Sequence, residues 1–247
     1  AINFTLGQYH RLKELFPDKH IVIAEIGWPS AGDRKEYAKP SIEDEAQFLV
    51  DVRHGQKTGF FLDQRENRRT IRKHAAGASV LNLFSYSGGF SLHASLGGAT
   101  QVTSVDIAPQ AIATLHRNVE RSGLPKDAHE GVVADVFDFL GRARKQGRRW
   151  DLVIVDPPSF APNERAKPNA RAAYRKLAVV ANEVVEAGGR FALASCSSHV
   201  TEQELLAMMA TVRPDARLRL VAGAGSDHPV LPGFAEGRYL KFLFFDV

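Results

Sequence analysis

Val80 to Asp106 reads VLNLFSYSGGFSLHASLGGATQVTSVD, and the rest of the chain is organised around it. Val80-Leu81-Asn82-Leu83-Phe84 is an apolar run of buried-strand length. Ser85-Tyr86-Ser87-Gly88-Gly89 is a turn, a helix starts at Phe90, and a second strand from Val102 to Val105 ends on Asp106. Strand, glycine turn, helix, strand and terminal acid form a nucleotide-binding βαβ unit, with the acid placed to take ribose hydroxyls. Glycine lets the backbone approach a ligand that a Cβ would repel. The turn is neither G-x-G-x-x-G nor a P-loop, which favours an adenosine ligand without phosphates. S-adenosylmethionine is the common one.

Downstream, strands and helices alternate. Helices are expected over 110–119, 136–145, about 169–187 with Asn169 as N-cap, and 201–209 with Thr201 and Glu204 as a capping box. Strands are expected at 131–134, 152–155, 190–195, 218–222 and 239–245, and Gly188-Gly189 is read as a helix stop. Polar residues recur at strand carboxyl ends: Ser85, Asp106, Asp135, Asp156 and Cys196. Ligands of open parallel sheets bind along that edge. Each acid alone could be an ordinary helix cap.

With 247 residues there is room for one large domain, or one domain and an extension. No apolar run is long enough to span a membrane, and no signal peptide is read at the start. A single cysteine excludes an internal disulfide and fits a reducing cytoplasm. The net charge of +4 favours a polyanionic partner; of the Arg/Lys clusters at 65–73, 142–149 and 165–176 each could be a solvated helix face, and the second is read as one. The third cluster follows Asp156-Pro157-Pro158-Ser159-Phe160 directly and is read as substrate-binding through Arg165, Lys167 and Arg171. No metal-ligand pattern is read.

Residues 1–47 differ in character. A helix over 6–16, a strand at 21–24 and a helix from Ser41 make an αβα extension. Its segment IVIAEIGWPSAG resembles the nucleophile strand of β-1,3-glucanase-type glycoside hydrolases, which makes Glu25 the attacking acid by resemblance. Retaining glycosidases need a second carboxylate about 5–5.5 Å away, so this piece is expected to be non-catalytic. Phe48–Val52 and Thr58–Leu62 are expected as a β-hairpin, followed by a basic helix capped by Asp63. Residues 48–75 thus form one unit and 76–247 the main domain.

The segments FLVDVRHGQKTGFFLDQRENR, ADVFDFL, WDLVIVDPPSF, LASCSSH and DHPVLPGFAEGRYLK, with the central stretch quoted first, carry a specific resemblance. Residues 48–247 resemble S-adenosylmethionine-dependent methyltransferases of the large-subunit ribosomal RNA cytosine-5 type. The resemblance implies an α/β, Rossmann-like class I methyltransferase: a doubly wound, mostly parallel seven-stranded sheet whose final strand is antiparallel. It also implies an enzyme acting on RNA, large-subunit rRNA above all, in the cytoplasm; the oligomeric state stays open, a homodimer being one candidate. In family members a PUA-type RNA-binding domain stands where residues 1–47 stand here.

By the same resemblance, Ser85, Tyr86, Gly88 and Gly89 line the methionine part of the cofactor. Asp106, with Ile107, takes the ribose. Asp135 and Val136 sit at the adenine. Lys57, Phe60 and Gln64 close over the cofactor. Asp156 and Pro157 adjoin both cofactor and target base, and Pro158, Ser159 and Phe160 meet the substrate. Cys196, in Ser195-Cys196-Ser197, is the nucleophile that adds to C6. Its thiol would be activated by the helix after Thr201 and by the cofactor's sulfonium charge. His228 and Glu236 are weak candidates for the base that removes the C5 proton, His228 being read rather as a structural hydrogen-bonding residue. Ser159 occupies the position where two-cysteine relatives carry a second thiol. Uracil-5 methylation, purine N-methylation and an inactive RNA-binding protein are the alternatives.

Overall fold

The computed structural model describes residues 22–24, 47–49, 60–161, 163–231, 233 and 235–247. Lys57, Glu25 and the proposed boundary helix at Ser41 lie outside the described residues. So do the side chain of Glu236 and most of the 48–62 hairpin.

The central sheet has seven strands: β3 (Ser79–Leu83), β4 (Gln101–Asp106), β5 (His129–Val133), β6 (Trp150–Val155), β7 (Val185–Ser195), β8 (Arg217–Ala222) and β9 (Lys241–Asp246). Their spatial order is β5-β4-β3-β6-β7-β9-β8. The first five run parallel, and β9 is antiparallel to both β7 and β8. This is the expected doubly wound sheet with an antiparallel late strand.

Period-2 alternation sends side chains to two apolar layers, which is why these strands read as continuous apolar runs. Leu81, Leu83, Val153, Val155, Phe191, Leu193, Leu243 and Phe245 face one layer. They meet helices α4 (Val136–Lys145), α5 (Lys167–Asn182) and α6 (Glu202–Val212). Val80, Val102, Leu152, Ile154, Ala192, Phe242 and Phe244 face the other, against α1 (Arg65–His74) and α2 (Gly89–Leu96). Helix α3 (Pro109–Arg121) joins α2 through Leu115 and Val119, which pack with Leu92 and Phe60.

Five expectations change. The two-residue-pleat segment at Gln47–Leu49 (β2) pairs antiparallel with Val22–Ala24 (β1), with Ile23 opposite Phe48. The described end of the expected hairpin's second arm is not a strand. Phe60 is buried under the Arg68 guanidinium, 4.4 Å from its ring centre, and Leu62–Gln64 is a 3₁₀ turn. Asp63 does not cap α1, because its carboxylate accepts the Tyr239 hydroxyl at 2.6 Å; Gln64 occupies the cap position without a side-chain bond. Asn169 is not the cap of α5. A 3₁₀ turn at Glu164–Ala166 runs straight into the helix, and Asn163 Oδ1 accepts from the Ala166 amide at 3.1 Å instead. Finally, α5 ends at Asn182 and β7 begins at Val185, so Gly188-Gly189 lies within a strand. The pairing there jumps from Trp150–Val185 to Leu152–Arg190, which is a bulge. Gly188 takes φ +76°, and a Cβ on Gly189 would meet the Asp151 carbonyl oxygen at 2.8 Å.

Candidate active site

The turn after β3 is backbone-strained. Phe84 and Tyr86 both have positive φ, at 59° and 47°, and Gly88 follows at 90°. Non-glycine residues hold such angles only where surrounding contacts over-determine them, and such strain concentrates at functional sites. Here the Ser85 amide donates to the Val105 carbonyl at 3.0 Å, the Gly88 amide to the Ser85 carbonyl at 2.9 Å, and the Tyr86 amide to Asp106 Oδ2 at 2.8 Å. Asn118 Nδ2 holds the Ser87 carbonyl at 2.9 Å. A Cβ on Gly88 would also meet the Leu115 side chain at 2.9 Å. Phe60, expected to close over the cofactor, packs against Gly89.

Asp106 is locked in place. Oδ2 takes the Tyr86 amide and Oδ1 takes the Ala108 amide at 2.9 Å. Each oxygen of a carboxylate accepts more than one bond, so the oriented group retains capacity for a vicinal diol. Next to it Ile107 is 70 % exposed and Val133, at the end of the neighbouring strand, is 50 % exposed. These two apolar side chains at the sheet edge offer faces for a flat aromatic base. Val133 escaped the sequence reading because it lies two residues before the acid that drew attention. Ser85 Oγ is buried without a hydrogen-bond partner. A buried hydroxyl with none costs about 1–3 kcal/mol, and a ligand group would satisfy it.

Asp135 is the N-cap of α4. Its Oδ1 accepts from the Phe137 and Asp138 amides at 2.8 and 3.1 Å, and the residue is exposed. Val136 beside it is buried in the core. The ordinary helix-cap reading of this acid is therefore realised.

At the end of β6, Asp156 accepts from Gln64 Nε2 at 3.1 Å, and Gln64 is itself held by Asn67 Nδ2 at 2.7 Å. Gln64 thus orients Asp156, a role the sequence did not disclose. Burial, first, and then the negative charge of Asp63 push the Asp156 carboxyl up to about 7, against the pull of Arg68 and the Gln64 bond. Pro157 is buried, whereas Pro158 and Ser159 are exposed. Phe160 packs edge-on to Tyr174 at 4.9 Å. Arg165 is exposed. Lys167 and Arg171 reach the same Glu204 carboxylate at 3.5 and 3.7 Å, so this part of the basic cluster is tied to the first turn of α6.

Cys196 follows β7 and is half-buried. Three residues that the sequence did not flag surround it. The Tyr174 hydroxyl donates to Ser195 Oγ at 2.9 Å. Burial, then the charges of Cys196 and Asp156, raise the Tyr174 phenol. One hydroxyl on α5 therefore senses both the thiol after β7 and the carboxyl after β6. Tyr239 is raised by burial, by its bond to Asp63 and by Cys196. Lys241 is the third. No local pattern could have found them, since Tyr174 sits in a helix and the other two follow a long loop. His228 Nδ1 lies 3.1 Å from Asp227 Oδ1 without a hydrogen bond between them, and Asp227 Oδ2 accepts from Arg65 at 3.0 Å.

Among the described residues no group of three or more His, Cys, Asp or Glu could hold a metal ion, and no helix is long and apolar enough to cross a membrane.

Comparison with known proteins shows the family of the chain. The family model described as S-adenosylmethionine-dependent methyltransferase matches residues 25–245. The match begins inside the stretch that resembles a glucanase, before the boundary expected at residue 48. The ribosomal RNA large subunit methyltransferase of Deinococcus radiodurans is 42 % identical over 231 residues, covering 92 % of this chain and 54 % of the relative. Ribosomal RNA large subunit methyltransferase I of Klebsiella pneumoniae is 36 % identical over 221 residues, covering 86 % and 54 %. The chain spans about half the length of these relatives. The crystal structure of SMU.776 complexed with SAH superposes with a TM-score of 0.74 at 32 % identity, over 81 % of this chain and 53 % of that one. The tRNA m1G37 methyltransferase of M. jannaschii, at 19 % identity and TM-score 0.57 over 82 % of this chain and 54 % of that one, shares the fold.

Proposed function

Because the chain belongs to the S-adenosylmethionine-dependent methyltransferase family, we propose that it methylates C5 of a cytosine in large-subunit ribosomal RNA through a covalent bond between Cys196 and C6. The family supplies the cofactor, and the site fits it: a locked Asp106 for the ribose, Ile107 and Val133 beside the base, and the buried Ser85 hydroxyl at the turn. Bound S-adenosylmethionine supplies an electrophilic methyl group. The names of the rRNA-modifying relatives support RNA as the substrate class. The thiol reading is supported by one observation above others: β7 pairs in parallel with β6, so Cys196 after β7 and Asp156 after β6 leave the same edge of the sheet.

C5 of a pyrimidine is a poor nucleophile until C6 is attacked. The Cys196 thiolate forms the S–C6 bond and the displaced electron pair enriches C5. The Asp156 carboxyl shares its proton with N3, which takes up the negative charge on the ring. Once C5 carries the methyl group, a base removes the C5 proton. The C5–H pair re-forms the double bond, sulfur leaves with the S–C6 pair, and N3 returns its proton to Asp156. This is covalent catalysis by an activated nucleophile. No hydrolase role is proposed for residues 1–47, because Glu25 alone carries that resemblance and the chemistry needs two carboxylates.

The test is mass spectrometry of nucleosides from large-subunit rRNA treated with the protein and labelled cofactor. Labelled 5-methylcytidine is expected. Labelled 5-methyluridine, an N-methylated purine or no product would overturn the reading.

Asp106→Ala is expected to weaken S-adenosylmethionine binding by about 1.5–3 kcal/mol, the range for hydrogen bonds to a charged group. Titration calorimetry measures it directly. Affinity equal to wild type would remove Asp106 from the cofactor site.

A further inference from the structure

Lys241 is 6 % exposed, at the start of β9, where it pairs in register with Ser195, the residue before Cys196. Its Nζ donates to the Tyr239 carbonyl at 2.9 Å and to the carbonyl of Ser197, the residue after Cys196. An ammonium has three N–H donors, so one remains after the two carbonyls. A buried cation is costly unless an opposite charge compensates it, and both of these partners are neutral.

Several groups surround this ammonium, and the Cys196 thiol acts on it more strongly than Glu204 or Glu202. From α5 comes Tyr174, whose hydroxyl is given to Ser195. From the segment before β9 comes Tyr239, whose hydroxyl is given to Asp63. Asp156, beyond Tyr174, is bound by Gln64. His199 lies in the loop beyond Ser197. From the first turn of α6 come Glu202 and Glu204, the latter bonded to the Thr201 amide and paired with Lys167 and Arg171. The two acids also offset the positive end of α6, so this helix start is a poor activator of the thiol. We propose that Lys241 is the residue that holds Cys196 as a thiolate, acting through the thiol as the compensating cation of the site. Burial lowers the lysine to about 8, and the Cys196 charge is the largest influence raising it, so it remains positive at neutral pH.

The proposal rests on the nucleophile reading of Cys196 but is tested separately from it. The chain has one cysteine, so the rate of iodoacetamide alkylation against pH, followed by intact mass, reports that thiol alone. In Lys241→Met and Lys241→Gln the midpoint of the alkylation profile is expected to rise by about one pH unit or more, with roughly tenfold slower alkylation at pH 7. Lys241→Arg is expected to keep a midpoint near wild type. Glutamine can still donate to the two carbonyls, which separates charge from tethering. An unchanged midpoint in both neutral variants would overturn the proposal. So would a shift in Lys241→Met that Lys241→Gln abolishes, because that would make the lysine a tether. If Lys241→Met fails to fold, Lys241→Gln against Lys241→Arg decides. Loss of the C6 mechanism itself would appear as absent methyl transfer chemistry at Cys196, with this alkylation difference intact.

Discussion

Cys196→Ala is expected to abolish methyl transfer, with a loss on the order of 10⁶ in rate, as removal of a covalent nucleophile can cost. Cofactor affinity should stay near wild type. The ribose acid, the strained turn and the exposed apolar pair all lie at β3, β4 and β5, whereas Cys196 follows β7. The wild-type protein should also form a stable adduct with RNA carrying 5-fluorocytosine, because fluorine cannot leave as a proton does. A cysteine that served only packing would behave differently. Its alanine variant would lose on the order of 1 kcal/mol of stability for so small a cavity and would keep its turnover. Single-turnover rates, together with denaturing gels of the fluorinated RNA, measure both. Turnover within about tenfold of wild type, far from the expected loss, and no trapped adduct would remove Cys196 from the chemistry.

Asp156→Ala is expected to lower kcat by about 10²–10⁴, the usual contribution of a positioned acid or base. Asp156→Asn should lie close to it, since the amide oxygen can still accept from Gln64 Nε2 but the group carries no acidic proton. The pH dependence has a definite sign. With its carboxyl pushed up to about 7, the wild-type residue holds a proton for N3 below that pH and loses it above. The wild-type rate should therefore acquire a limb that falls as pH rises past about 7, absent from Asp156→Asn. A limb that rises through 7 would show that the carboxylate form works, accepting from the N4 amino group. The same raised value links to stability. The folded state binds this proton more tightly than the unfolded chain, whose aspartate titrates near 3.9. The stabilisation is thus complete below about pH 4 and lost as pH climbs through about 7. Urea denaturation of the RNA-free protein should show this decline, and Asp156→Asn should flatten it.

Much of this architecture was legible in one dimension. Apolar runs punctuated by Gly, Asp and Pro define β3, β4, β6 and the turn, because a strand buried on both faces must be continuously apolar. Parallel βαβ connections then bring every strand's carboxyl end to one edge, so Ser85, Asp106, Asp156 and Cys196 could be grouped before any coordinates. Local chemistry also marked the Thr201–Glu204 capping box, whose reciprocal bonds are present. Asp135 illustrates the limit of such reasoning. Its position at a strand end suits a ligand and a helix cap equally, and its two amide bonds serve the cap.

The sequence by itself determined the fold class through periodicity and the cofactor class through its family resemblance, and its strand-end residues marked the edge of the sheet where chemistry is proposed. Only the tertiary structure decided what surrounds the reacting groups. Gln64 reaches Asp156 across 92 residues, and Asp63 reaches Tyr239 across 176. Lys241 stands beside Cys196 because β9 inserts antiparallel between β7 and β8. Nothing in the local sequence announces such meetings. The ends of β6 and β7 and the start of β9 must first be brought together by burial of their apolar faces, and only then do a carboxyl, a thiol and an ammonium come to lie along one edge of the sheet.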